Sequence, residues 1–132
     1  MRLMTIASGS SGNAGYLGSE RTHLLIDAGI SRRRIVQGLE VAGLKPAELS
    51  GVLLTHEHAD HVTGLKVLLK KDAIPLYATA GTLAAIKKKG MLDGYPEERI
   101  HVVRGGEAFS LGDLKVLPLS IDHDAAEPVG YR

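Results

Sequence analysis

At 132 residues the chain has the length of one domain and can bury roughly two-thirds of the surface it exposes when unfolded, enough for a real core. It is 44% hydrophobic and 23% charged with 16 glycines, which marks a globular chain with many tight loops. A net charge of +1 makes no global claim on nucleic acid or membrane, and the lack of cysteine excludes disulfides and thiolate metal ligands. The apolar run after Arg2 is too short for a secretory segment, and no stretch approaches the ~20 apolar residues of a membrane helix. A cytoplasmic protein without a membrane partner is the expectation.

Along the chain, residues 3–7 read as a short strand, broken by the turn-forming "SGSSGNAG". "HLLI" (23–26) is a second strand ending in "DAG". Ser31 is placed to cap a helix carrying Ile35, Val36, Leu39 and Ala42 on one face, with Gly43 to end it. "VLLT" (52–55) is an unbroken apolar run, the pattern of a strand covered on both sides. A helix is predicted over 62–70, with Val62, Leu65, Leu68 and Leu69 inward. "PLYA" (75–78) gives another strand. Thr79 caps a helix that ends at Gly90, and 100–103 and 114–119 close the series as strands. Strands alternating with helices indicate α/β layers with chemistry at a strand end.

That end carries "HEHADH", which places His56, His58, Asp60 and His61 in six consecutive positions. In an extended segment side chains two apart point the same way, so His56 and His58 can approach one ion while Glu57 points away. A turn at Asp60 and His61 can aim those two at a second ion. Imidazole and carboxylate suit Zn2+, with Mn2+ or Fe2+ as harder alternatives. Three of the six histidines fall in this stretch, which argues against chance clustering on a surface.

"HEHADH" resembles the H-x-H-x-D-H signature of the metallo-β-lactamase superfamily. The segments "ASGSSGNAGYL", "LLIDAGIS" and "IDHDAAEPVGY" are similar to its YycJ/WalJ-like subgroup of exonuclease-like hydrolases. The resemblance implies the superfamily's αββα sandwich, an α/β layered fold, of which residues 1–132 would be an incomplete, N-terminal portion. It implies that His56, His58 and His123 hold a first ion and that Asp60 and His61 belong to a second. Asp27 would support the ligand loop; by itself it reads as a strand-end turn residue, and His123 alone as a hydrogen-bonded loop residue. The mechanism implied is metal-assisted hydrolysis, in which two ions roughly 3.5–4 Å apart share a hydroxide for in-line displacement at phosphorus. Asp60 would bind an ion and orient that nucleophile.

The chain departs from the family pattern by ending at Arg132, nine positions after His123, before the segment that supplies further second-site ligands. Asp124 and Glu127 are the only nearby acidic candidates and match no motif. An uncovered sheet face then predicts a homo-oligomer, or a missing C-terminal segment.

Of the basic runs, Lys87–Lys89 sits in a last helical turn, where the helix dipole favours cations. Arg32, Arg33 and Arg34 sit in a first turn, where each is disfavoured by about 0.3–1 kcal/mol, so they are candidates to hold DNA phosphates. Ser11 and Asn13, in the loop that lies near the metal site in the resembled subgroup, are candidate substrate contacts. His23 and His101 lie in strand patterns and read as structural. The leading expectation is a metal-dependent phosphodiesterase acting on DNA ends. A thioester or lactam hydrolase and a non-catalytic metal-binding half-domain are the alternatives.

Overall fold

The computed structural model describes residues 1–121 and 125–132. Six strands form one sheet in sequence order: β1 (Arg2–Ala7), β2 (Ala14–Gly18), β3 (His23–Ile26), β4 (Gly51–Leu53), β5 (Leu76–Thr79) and β6 (Ile100–Val103). The first three pair antiparallel, and β3 to β6 pair parallel. Parallel neighbours need crossovers. These are α1 (Arg32–Val41), the short α2 (Ala59–Val62) with α3 (Leu65–Asp72), and α4 (Ala80–Lys88). A hairpin of β7 (Phe109–Leu111) and β8 (Leu114–Val116) and a pair of β9 (Pro118–Ser120) and β10 (Val129–Tyr131) follow.

Local chemistry sets the helix ends. The Ser31 side chain accepts from Arg34 N, and the Thr79 side chain from Thr82 N, each satisfying a first-turn amide that has no helical partner. Side-chain alternation then sorts the strands onto two cores. Leu25, Val52, Leu54, Leu76 and Ala78 pack with Ile35, Leu39, Leu65, Leu68 and Ile86 of the helices. Leu24 and Leu53 face the other way, into a smaller cluster with Leu111, Leu114 and Val116 of the hairpin. This is why "HLLI" and "VLL" are apolar throughout rather than alternating. Each such buried leucine contributes about 1.5–3 kcal/mol. The hairpin covers only part of its face: Leu3 is 80% exposed, beside a groove of about 240 Å3 lined by Leu3, Leu17, Leu24, Ile26, Leu53 and Val116.

β7 and β10 are absent from the expected series of strands, and three further elements differ from expectation. β2, hidden in "AGYLG", is an interior strand whose buried positions alternate with half-buried ones, although its first two residues fall in "SGSSGNAG", which reads as a turn. The stretch 114–119 is two strands, because Pro118 cannot continue the ladder and the chain changes partner there from β7 to β10. The helix predicted over 62–70 is broken at Gly64. Its N–H leaves the helical ladder and donates to the Ala28 carbonyl at 2.8 Å, and the Asp60 carbonyl accepts instead from Asn13 N at 2.7 Å.

Gly64 lies so close to Ile30 that a Cβ would run into the Ile30 carbonyl oxygen. Gly64→Ala is expected to destabilise the chain by about 1–3 kcal/mol or more. The readout is a lower urea midpoint at unchanged slope; an unmoved midpoint would show that the two loops are free to separate.

Candidate metal centre

The site forms where β3 and β4 end, at the carboxyl edge of the parallel strands. Asp27 follows β3, and Thr55 to His61 follow β4. Asp27 adopts φ 63°, a left-handed conformation that short polar side chains tolerate. Its buried carboxylate spans the loop opposite. Oδ1 accepts from Thr55 N at 2.8 Å, and Oδ2 accepts from the Thr55 hydroxyl at 2.8 Å and from His61 Nδ1 at 2.6 Å.

These bonds set the imidazole tautomers. With its proton given to Asp27, the Thr55 hydroxyl accepts from His56 Nδ1 at 2.9 Å, which leaves the lone pair of that ring on Nε2. His61 likewise donates from Nδ1, and its Nε2 lies 3.6 Å from Asp60 Oδ2. A carboxylate bonded to the far nitrogen of an imidazole is the arrangement that orients metal-ligating histidines.

Within reach of one ion, the ligand atoms of His56, His58 and Asp60 all lie within 4.8 Å of one another. The His56 ring centroid is 4.7 Å from that of His58 and 4.0 Å from that of His61. The Asp60 carboxylate is thus within reach of the His56–His58 pair and 3.6 Å from His61 Nε2. His56 is buried, and His58, Asp60 and His61 are half-buried, so the group keeps some access to solvent. The donor set, imidazole and carboxylate without sulfur, fits a divalent ion of the zinc or manganese kind.

His61 has its pKa raised. The Asp27 hydrogen bond is the largest cause and burial opposes it, while the charges of Asp27 and Asp60 add to the rise.

Three loops are locked together around these ligands. Asn13 N donates to Asp60 O, Gly29 N to Asn13 O at 2.8 Å, and Ala28 N to His61 O at 2.8 Å. The Asn13 amide nitrogen also donates to Gly9 O at 2.8 Å and lies 3.2 Å from Asp60 Oδ2 and 3.3 Å from His61 Nε2. Gly29 has no space for a side chain, because a Cβ would meet the Asp60 carbonyl.

The other candidates fall elsewhere. His123, like Asp124, lies outside the described residues. Ser11 is exposed in the loop before Asn13. Arg32 is bound to Asp72 at 2.6 and 3.0 Å, so one charge of the arginine run is neutralised, while Arg33 and Arg34 are exposed. His23 hydrogen-bonds the Tyr16 hydroxyl at 2.7 Å, and His101 stacks on Tyr77. Sequence reasoning missed Thr55 and Tyr131. The Tyr131 hydroxyl donates to Leu54 O at 2.5 Å under the motif strand, and burial, with the nearby Asp27 charge, raises its pKa strongly. Nothing local marks either residue; only its neighbours do.

Residues 22–132 match the model of the β-lactamase superfamily domain. The chain is 37% identical over 127 residues to the exodeoxyribonuclease WalJ of Streptococcus pneumoniae serotype 2, covering 96% of this chain and 47% of that protein. It is 36% identical over 131 residues to the exodeoxyribonuclease YycJ of Bacillus anthracis, covering 99% and 49%. The chain thus spans about half the length of these curated relatives. Among solved structures, the Rm3 metallo-β-lactamase superposes with a TM-score of 0.76 at 19% identity, over 98% of this chain and 52% of that one. At that identity the likeness shows the fold alone.

In the metal-free chain, His61 is expected to titrate above its ordinary value of about 6.5. Asp27→Asn, which keeps the left-handed backbone but removes the charge, is expected to bring it down. Because the folded value is the raised one, the stabilisation is full below the unfolded pKa and is lost as pH rises through the folded value. The stability gap between wild type and Asp27→Asn should therefore shrink toward alkaline pH. Proton NMR titration of the imidazoles with denaturant melts across pH checks this; an His61 pKa unmoved by the substitution would refute the coupling.

Proposed function

The chain belongs to the metallo-β-lactamase superfamily, and from that membership we propose that it serves as a metal-dependent phosphodiester hydrolase of exonuclease type, acting on DNA in the cytoplasm. The observation that carries the proposal is the convergence of His56, His58 and Asp60 within 4.8 Å, beside an His61 already oriented by Asp27. The relatives named exodeoxyribonuclease support DNA as the substrate class. Residues 1–132 are read as an N-terminal portion of the family's domain, which the half-length coverage of the relatives supports.

In this reading His56, His58 and His123 hold one ion, and Asp60 with His61 takes part in holding a second; Zn2+ is the first choice for this donor set, with Mn2+ or Fe2+ next. A divalent cation there supplies Lewis acidity toward a phosphoryl oxygen and toward water. The protein's own groups do the positioning. Asp60 is placed to accept a hydrogen bond from the attacking water and to orient it. Asp27 holds His61, and through Thr55 it holds His56, so a ligand lost from this network would be felt by both. Asn13 steadies Asp60, which occupies its amide and leaves Ser11 as the more available group of that loop. Arg33 and Arg34 remain as candidates for backbone phosphates, a contact that salt would weaken.

End-labelled DNA incubated with the protein and Mn2+ or Zn2+ should lose nucleotides from its ends, and a chelator should stop the reaction. Asp60→Asn is expected to slow it by about 100- to 10,000-fold, the range for removing a positioned proton acceptor. Turnover of a thioester or a β-lactam but not of DNA would overturn the assignment. Metal binding without hydrolysis of any of the three would leave a binding module.

The part-covered sheet face around Leu3 supports the further reading that it is covered in the working protein, by a second copy or by further chain. Sedimentation of the 132-residue chain is expected to show self-association; a compact monomer at high concentration would remove the second-copy form of this reading.

A further inference from the structure

Two helices start beside the metal motif, and a groove of about 600 Å3 lies between them. Arg33 and Val36 of α1 and Val67 and Lys71 of α3 line it, with Ser31, Thr63 and Gly64 at the end where both helices begin. That end adjoins the ligand loop. Thr63 is two positions after His61. Gly64 N donates to Ala28 O at 2.8 Å, and Ala28 N donates to His61 O at 2.8 Å. The groove therefore opens from the carboxyl edge of the parallel strands, the edge that carries His56 to His61. Arg32 reaches from α1 to Asp72 of α3 and ties the two helices together.

The lining is a mixture that folding alone does not ask for. Arg33 and Lys71 are exposed, and among the described residues neither is in an ion pair. Lys71 stands in the last turn of α3, where the helix dipole favours a cation. Arg33 has no such reason, because it stands in the first turn of α1 with no acidic residue there. Val67 is 48% exposed and Val36 half-buried, so apolar surface shares the groove with the two cations. Glu40 is the one carboxylate in the lining, about two turns of α1 beyond Arg33.

Cations from two helices beside apolar surface match a chain whose phosphates alternate with apolar rings. A duplex stacks its bases inward, whereas a single strand presents phosphates and base faces together. With ten residues α1 is about 15 Å long, which at ~3.4 Å per nucleotide of a strand is room for about four nucleotides. We propose that the groove between α1 and α3 is a track for single-stranded DNA leading to the metal centre, in which Arg33 and Lys71 hold phosphates and Val36 and Val67 meet sugars and bases. This rests on the reading of that centre as a DNA hydrolase. Glu40 sets the far end, because a carboxylate there repels the next phosphate. Arg32, held by Asp72, shapes the track without contacting the strand. Contacts of this kind carry no base sequence, so the track accepts any strand.

The test is fluorescence anisotropy of an end-labelled oligothymidylate and of a blunt duplex, titrated with the 132-residue chain in a metal chelator at about 50 to 200 mM salt. Arg33→Ala, Lys71→Ala, their double variant and Val67→Glu are compared with the wild type and with Lys88→Ala, which removes an equal charge from the exposed end of α4. Arg33→Ala and Lys71→Ala are each expected to flatten the slope of log affinity against log salt by about 0.7, one phosphate contact on a single strand, and the double variant by about 1.4. The advantage of the wild type over each single variant should then shrink about 3-fold across that salt range. Val67→Glu, which adds a carboxylate to the groove and removes no cation, should weaken single-strand binding as well, and Lys88→Ala should not. Unchanged slopes in Arg33→Ala and Lys71→Ala, equal losses in Lys88→Ala, or equal losses on the duplex would overturn the track. Turnover of a bis-aryl phosphodiester with Mn2+ separates this from a failure of the hydrolase reading, since wild type and groove variants should cleave so small a substrate alike. Loss of that turnover in the groove variants would place Arg33 and Lys71 at the metal centre and overturn the track. No turnover of the diester or of DNA by the wild type would remove the hydrolase reading, and the track with it.

Discussion

The hydrogen bonds of the Asp27 carboxylate are the interaction on which the geometry of the candidate metal centre depends. The carboxylate is a buried charge whose oxygens accept three hydrogen bonds from the loop that carries the motif, two from Thr55 and one from His61. A charge in that position is costly unless it is fully bonded, so the loop and the carboxylate hold each other in place. The result reaches the candidate ligands directly. His61 is oriented by Asp27 itself, and His56 through the single proton of the Thr55 hydroxyl.

The second constraint is on the backbone. A helix running without interruption through residues 59–72 would keep the carbonyls of Asp60 and His61 inside its own ladder. Breaking it at Gly64 releases them, and they become acceptors for Asn13 N and Ala28 N. Local helical stability is thus exchanged for three loops that share hydrogen bonds around the candidate ligands. Gly29 and Gly64 are needed because the loops approach to distances at which a Cβ would collide with a carbonyl. Hydrogen bonds that tie these loops to one another reduce the ordering that binding of an ion must offset.

Charge on the surface is distributed with less purpose than its runs suggest. Arg32 is taken up by Asp72, and Lys87 lies 3.5 Å from Glu97. Lys89 ties α4 to the motif loop at the Glu57 carbonyl, so its position at the helix end is only part of its explanation. Arg33 and Arg34 are left exposed in a first turn with no acidic residue to offset them.

What the sequence by itself determined is the short-range part. The apolar runs "HLLI" and "VLL" dictate strands with two buried faces, Ser31 and Thr79 dictate helix starts, and the density of ligands in "HEHADH" dictates a metal-binding stretch at a strand end. Each depends on residues a few positions apart, where spacing translates directly into geometry. Only the tertiary structure decided the long-range part: that β2 is an interior strand although it begins in a stretch that reads as a turn, that the helix after the motif breaks at Gly64, and that Asn13 stands against Asp60. The same holds for Thr55, an ordinary residue in the sequence, and for Glu57, whose partner Ala126 is 69 positions away. A hydrogen bond between distant segments leaves no periodic trace in either, so it becomes visible only once the chain has closed on itself.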